Sequence, residues 1–253
     1  MQSEVRKRRQ KRPVSSFNVS EIRNNVNSEH LIVSYGAEEW SDSFHHDYAF
    51  ELDRVVEALS EGLLGAFAEW INQIAVPAAT SLTVPPARID PSAHFINFNY
   101  TNTLQQLYDV PSAQVWHIHG AAAESAPLVL GHGWRPKPTE TRVAHLDLEQ
   151  EDTRVIEGAQ IIDRYFERSF KPTAQIIADN AARFAALANV DDIRVLGHSL
   201  SDVDLPYLER IATSVRPTAK WRISCRGEST SLETQFAKFA SPTRATFCPL
   251  PEV

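Results

Sequence analysis

Apolar residues recur at three- and four-residue steps over residues 47–74, where Phe50, Leu52, Val55, Val56, Leu59, Leu63, Leu64, Phe67, Trp70 and Ile71 are interleaved with Glu51, Asp53, Glu61 and Glu69. The spacing predicts one long helix, with Gly62 and Gly65 as its weak points. Prolines 77, 85, 86 and 91 then exclude a helix from the connector that follows. Beyond it, short apolar runs alternate with helical periods. Residues 94–99 (HFINFN) read as a strand and 101–108 as a helix capped by Thr101. Strands are expected at 115–119, ending in Gly120, and at 128–130, ending in Gly131. A helical stretch over 153–188 is interrupted near Pro172. A strand at 193–196, a helix at 204–215, a strand at 220–225, a helix at 232–240 and an edge strand at 244–247 complete the pattern. Strand and helix in alternation predict an α/β fold with a mainly parallel sheet, carrying helical insertions at about 47–74 and 153–188.

Composition narrows this picture. With 253 residues, 43% of them apolar, the chain is ordinary globular material. No apolar run reaches the ~18 to 20 residues of a membrane span, because Glu57, Glu61, Glu69 and Pro77 interrupt the greasiest stretch. Residues 1–27 are polar, with six Lys/Arg between Arg6 and Arg12, and read as a disordered basic tail ahead of a single domain over 28–253. The tail lacks the apolar segment of a secretory signal, so a cytoplasmic location is expected. Without that basic run and Glu4 the body holds 19 basic against 31 acidic residues, a charge of −12. Such a body repels a phosphate backbone, so nucleic-acid binding is expected only through the tail. Cys225 and Cys248 make no disulfide framework and no zinc-type spacing.

Candidate chemistry gathers where strands end. In an open parallel sheet, ligands bind at the carboxyl ends of the strands. Those positions hold Asn97 and Asn99, then His117, His119 and Gly120, then Gly131 and His132, then Gly197, His198 and Ser199. Asn99, His119, Gly197 and Ser199 are expected to line one pocket at one edge of one sheet. Two rival readings use the same residues. The run 197–201 (GHSLS) imitates the serine-hydrolase elbow, but all nine histidines precede Ser199, whereas that fold places its histidine after the serine. His117 and His119 share a strand face as metal ligands would, but no acidic partner has diagnostic spacing, and no metal is expected.

The runs FINFNYTNTLQQLY (95–108), VWHIHG (115–120), LVLGH (128–132), FKPTAQ (170–175) and VLGHSLSDVDLPYLERI (195–211) together resemble the bacteriophage abortive-infection AbiH family. The resemblance touches residues 40–253, and its last run is the most specific. The family is in turn similar to sirtuin-like domains, where an N-x-D segment and a downstream His-Gly line a nicotinamide-ribose pocket. The resemblance implies a Rossmann-type, sirtuin-like sheet and a role in antiphage defence, with NAD as substrate or ligand and a phage or host protein as trigger. On this chain it makes Asn99 an orienting amide and His119 a base for hydrolysis of the nicotinamide N-glycosidic bond. Tyr100, Thr101, Gly120, Gly197, His198, Ser199 and Asp202 become nucleotide contacts, and Asp204 is expected to cap the helix that follows. The alternative is a nucleotide-sensing or partner-binding module without turnover. Two features depart from the pattern: a G-N-G-F-D type segment is missing, leaving either a truncated or a diverged opening, and Thr101 stands where the sirtuin triplet has Asp.

Overall fold

In the computed structural model, which describes residues 32–38, 40–41, 44–83, 88–124, 127–133 and 137–250, the first helical pattern forms α1 (Phe44–Glu57), a π-helical segment (Ala58–Gly62) and α2 (Leu63–Asn72) in one run. The weak point near Gly62 is therefore a widened turn and not a stop. Ser60 contributes to it: its hydroxyl donates to the Val56 carbonyl at 2.7 Å and competes for an acceptor of the helical ladder. After the connector come β1 (Phe95–Asn97), α3 (Thr103–Tyr108) and β2 (Val115–His117), then α4 (Thr153–Arg168), α5 (Thr173–Asp179) and α6 (Ala181–Ala185). The chain then runs through β3 (Asp192–Val195), α7 (Leu205–Ser214), β4 (Lys220–Cys225), α8 (Thr230–Phe236) and β5 (Ala245–Pro249). The basic tail expected at 1–27 lies outside the described residues.

Among the described residues every strand pairing is parallel, as the alternation predicted. The single sheet is not found. β1 pairs with β2 in one sheet, and β3, β4 and β5 pair in that order in another. The segment 128–130 is not a strand either. Side chains capture the backbone groups that longer ladders would need. Asn97 Oδ1 accepts from the Asn99 N–H and ends β1 in a tight turn, the Tyr100 hydroxyl donates to the Val129 carbonyl at 2.8 Å, and the Gly197 N–H donates to Ser224 Oγ. One core nevertheless underlies both sheets. Ile96, Phe98, Trp116 and Ile118 pack with Phe184, Tyr207, Leu208, Ile211, Trp221, Ile223 and Phe236. Among the described residues no helix is long and apolar enough to cross a membrane, and Cys225 and Cys248 are free thiols.

The two long helices build a second cluster. Tyr48, Ala49, Leu52 and Val56 of α1 meet Ile161 and Ile162 of α4, and they approach so closely at Gly158 that a Cβ there would stand 2.4 Å from the Tyr48 ring. Arg154, 3% exposed, fixes the start of α4. Its guanidinium forks onto the Asp152 carboxylate, donates to the Val33 carbonyl at 2.7 Å and lies 3.9 Å from the centre of the Tyr35 ring. A lysine keeps the charge but neither the fork nor the planar stack. Arg154→Lys is expected to lower the free energy of unfolding by about 2 kcal/mol. Urea titration checks it, and an unchanged midpoint would show that the clamp contributes nothing.

Candidate functional site

The residues after β2 and β3 converge on one carboxylate. Asp204, at the N-cap of α7, turns inward: Lys171 Nζ lies 3.2 Å from its Oδ1, His198 Nε2 lies 3.5 Å from its Oδ2, and Ser201 Oγ donates to Oδ2 at 3.3 Å. His119 Nε2 faces Oδ1 at 3.8 Å. Aromatic rings wall this group. Phe98 stands edge-to-face with both His119 and His198, Tyr207 packs on His119, and the Tyr100 ring is 6.3 Å from that of His119.

Local backbone geometry aims each member. Lys171 is placed by an isolated parallel bridge, in which the His132 N–H donates to the Ser169 carbonyl and the Lys171 N–H to the His132 carbonyl. That bridge depends on Gly131, whose φ of 141° is open to glycine and where a Cβ would stand 1.9 Å from the Ser169 oxygen. Leu200, fully buried, adopts a φ of 54°, a strained choice for leucine, and its N–H donates to His198 Nδ1 at 2.9 Å. That bond makes Nδ1 of His198 an acceptor and leaves Nε2–H to donate toward Asp204.

Electrostatics shift three groups here, Asp204, His119 and Tyr100. Burial pushes the Asp204 carboxyl up, but the His198 hydrogen bond and the Lys171 ammonium outweigh it and hold the group down to about 2. Burial pulls His119 down to about 4, with the Lys171 charge acting the same way against Asp204. Burial and the Asp204 charge together push the Tyr100 phenol up to about 12. His119 donates to the Phe98 carbonyl, and its buried Nε2 has no hydrogen-bond partner among the described residues, so a neutral imidazole presents a lone pair beside an ionised carboxylate. A lone pair held this way can accept a proton or a hydroxyl hydrogen bond.

Of the nine expected site residues, His119 and His198 stand in this cluster, and Tyr100 and Gly120 border it. The others are placed elsewhere. Asn99 is exposed, and its backbone carbonyl accepts from His117 Nδ1 at 3.0 Å. His117 Nε2 is met by Gln105 at 3.2 Å, so His117 is satisfied locally while His119 is not. Thr101 bonds the Thr103 hydroxyl and does not cap α3, whose N-cap is Asn102. Gly197 and Ser199 are exposed and follow a strand of the other sheet from Asn99 and His119, so the expected alignment along one sheet edge is not what the strands form. Asp202 pairs with Lys238 at the surface. Asp204 sits at the N-cap of α7, but its side chain makes no capping bond, because Lys171 and His198 draw it inward. Lys171 was missed altogether, although the bridging run 170–175 and the Gly131-His132 pair carried the signal. Among the described residues no three His, Cys, Asp or Glu side chains gather to hold a metal.

Parallel strands joined by helices, with a charged cluster enclosed by aromatic rings, define a mixed α/β protein. Residues 13–225 match the family described as bacteriophage abortive infection AbiH, and the chain belongs to that family. No curated protein and no solved structure matches it.

Two outcomes test the cluster. A buried histidine that titrates at about 4, against an ordinary value of 6.5, binds its proton later than the unfolded chain does, so its contribution is present above pH 6.5 and is lost as pH falls toward 4. The loss attributable to His119 is about 3 kcal/mol, and the unfolding free energy of His119→Gln is expected to fall less steeply across that window than that of the wild type. Equal slopes would remove His119 from the account. Gly131→Ala should break the bridge and cost about 3 kcal/mol, read by thermal melting. A variant as stable as the wild type would show that Lys171 is held by other means.

Proposed function

We propose that this abortive-infection protein acts as a nucleotide hydrolase in which His119 is the general base and NAD is the substrate. The observation that carries the reading is the bare Nε2 of His119 opposite the ionised Asp204 within an aromatic wall. Cleaving the nicotinamide N-glycosidic bond sends its electron pair to the departing nicotinamide and leaves an oxocarbenium-like ribose. Water then adds to that carbon and gives up a proton, yielding nicotinamide, ADP-ribose and H⁺. Asp204 supplies the fixed negative charge that stabilises a developing ribosyl cation. His119, neutral at working pH, supplies the site for the proton. A Rossmann-type, sirtuin-like arrangement is part of this proposal, supported by the parallel pairings and by the helices that follow β1, β3 and β4.

The second reading is a nucleotide-sensing module without turnover, triggered by a phage or host protein. The closure of the cluster favours it, since His119 is 3% and Asp204 9% exposed. One experiment separates the two. Purified full-length protein incubated with NAD should release nicotinamide, and His119→Ala should reduce the rate by at least about 100-fold with its circular dichroism unchanged. Stabilisation by NAD without nicotinamide release would favour sensing. Neither release nor stabilisation would reject NAD as the ligand.

A further inference from the structure

We propose that the helix running through α1 and α2 carries a self-association face, on which a second copy of this chain docks. Val55, Leu59, Leu63, Trp70 and Ile74 are between 43% and 57% exposed, and no residue of α2 is buried. The spacing of Val55, Leu59, Leu63 and Trp70 puts these four in one line, and Ile74 follows just past the end of α2. A step of four residues overshoots an α-helical turn of about 3.6 residues and falls short of the wider π turn. The offsets therefore cancel across Ala58–Gly62, and Val55, Leu59 and Leu63 stay in register. The π segment thus straightens an apolar stripe that a plain α-helix would wind away from itself.

Three features commit the stripe to a second copy. The first is charge. Asp53, Glu57, Glu61 and Glu69 fall on the far side of the helix, and residues 55–87 contain no Lys or Arg, so the stripe offers no cation to an anionic partner such as nucleic acid. It matches an equally uncharged apolar face, and this chain presents one. The second is shape. Beside the ridge of large side chains runs a row of small exposed ones, Ala58, Gly62 and Ala66, at four-residue steps. A ridge next to a groove on one helix is self-complementary under a two-fold axis, with each copy's ridge seated in the other's groove. Glycine is a poor helix former, yet among the described residues no atom requires one here: a Cβ on Gly62 would meet only the Glu57 carbonyl oxygen at 3.8 Å, and one on Gly65 would meet nothing within 4 Å. Close approach of another backbone gives Gly62 a use. The third is area. Five half-exposed large side chains offer about 400 Å² per copy, roughly half of what each partner buries in a standard interface, with the flanking small residues adding to it.

The test is sedimentation and light scattering of the full chain across micromolar concentrations. The wild type should be a dimer. The double variant Leu59→Glu/Leu63→Glu should dissociate at least about tenfold more readily. Gly62→Leu, which fills the groove with space available in its own chain, should do the same. Phe50→Glu, equally exposed on α1 but off the stripe, should leave the dimer intact. A monomeric wild type, a dimer indifferent to the stripe variants, or equal disruption by Phe50→Glu would each overturn the proposal. Wild-type monomers that bind uncharged lipid vesicles would replace it with a membrane-surface role.

Discussion

A carboxylate removed from water stays ionised only where cations and hydrogen-bond donors face it closely enough to offset lost hydration, which amounts to several kcal/mol. Asp204 meets that condition with Lys171, His198 and Ser201, drawn from the loop after α4 and the turn before α7. The same requirement sets the state of His119. Burial keeps its imidazole neutral, and the Lys171 charge works against the pull of Asp204 toward a second cation. The arrangement of this end of the fold and the chemistry available in it therefore share one cause. Moving Lys171 away would leave a buried anion, and the groups now aimed at that anion would no longer have a reason to converge.

Histidines 119 and 198 were legible in the sequence, because polar titratable residues directly after apolar strands occupy the ends where ligands approach. Lys171 was not. It follows a helix in the run 170–175, whose signal was a family likeness and not a period or spacing, and its place depends on a bridge to His132 made possible by Gly131, some forty residues upstream. Asp204 was visible as a residue but misjudged in role. A carboxylate just before Leu-Pro has the local form of a cap, and only a cation 33 positions earlier in the chain turns it inward. The orienting amide expected at Asn99 belongs to the same kind of error: the turn is real, but Asn97 makes it and Asn99 faces solvent.

The fold was read more fully than the site. Helices over the 47–74 and 153–188 regions, five of the six expected strands and the parallel sense of the pairings follow from hydrophobic period and from crossover helices. What hydrophobic period does not encode is where a ladder stops. Asn97, Tyr100 and Ser224 hold the backbone just past the strand ends with side-chain bonds, and the strands form two sheets over a common core.

That core is not the only one. α1 and α4 bury Tyr48, Leu52, Val56, Ile161 and Ile162 in a cluster of their own, and Arg154 ties Val33 and Tyr35 to it. Cooperativity in a chain built this way has two levels. The helical pair can open as a sub-global unit while the apolar contacts beneath the sheets persist, so its amides exchange with solvent at a lower free energy than those of β4. α2 continues directly from α1 and touches the body through Phe67 on Tyr100 and Asn72 on Ala122. Opening of the helical unit therefore removes the outer support of Tyr100, and the aromatic wall around His119 loosens before the strands that carry it come apart.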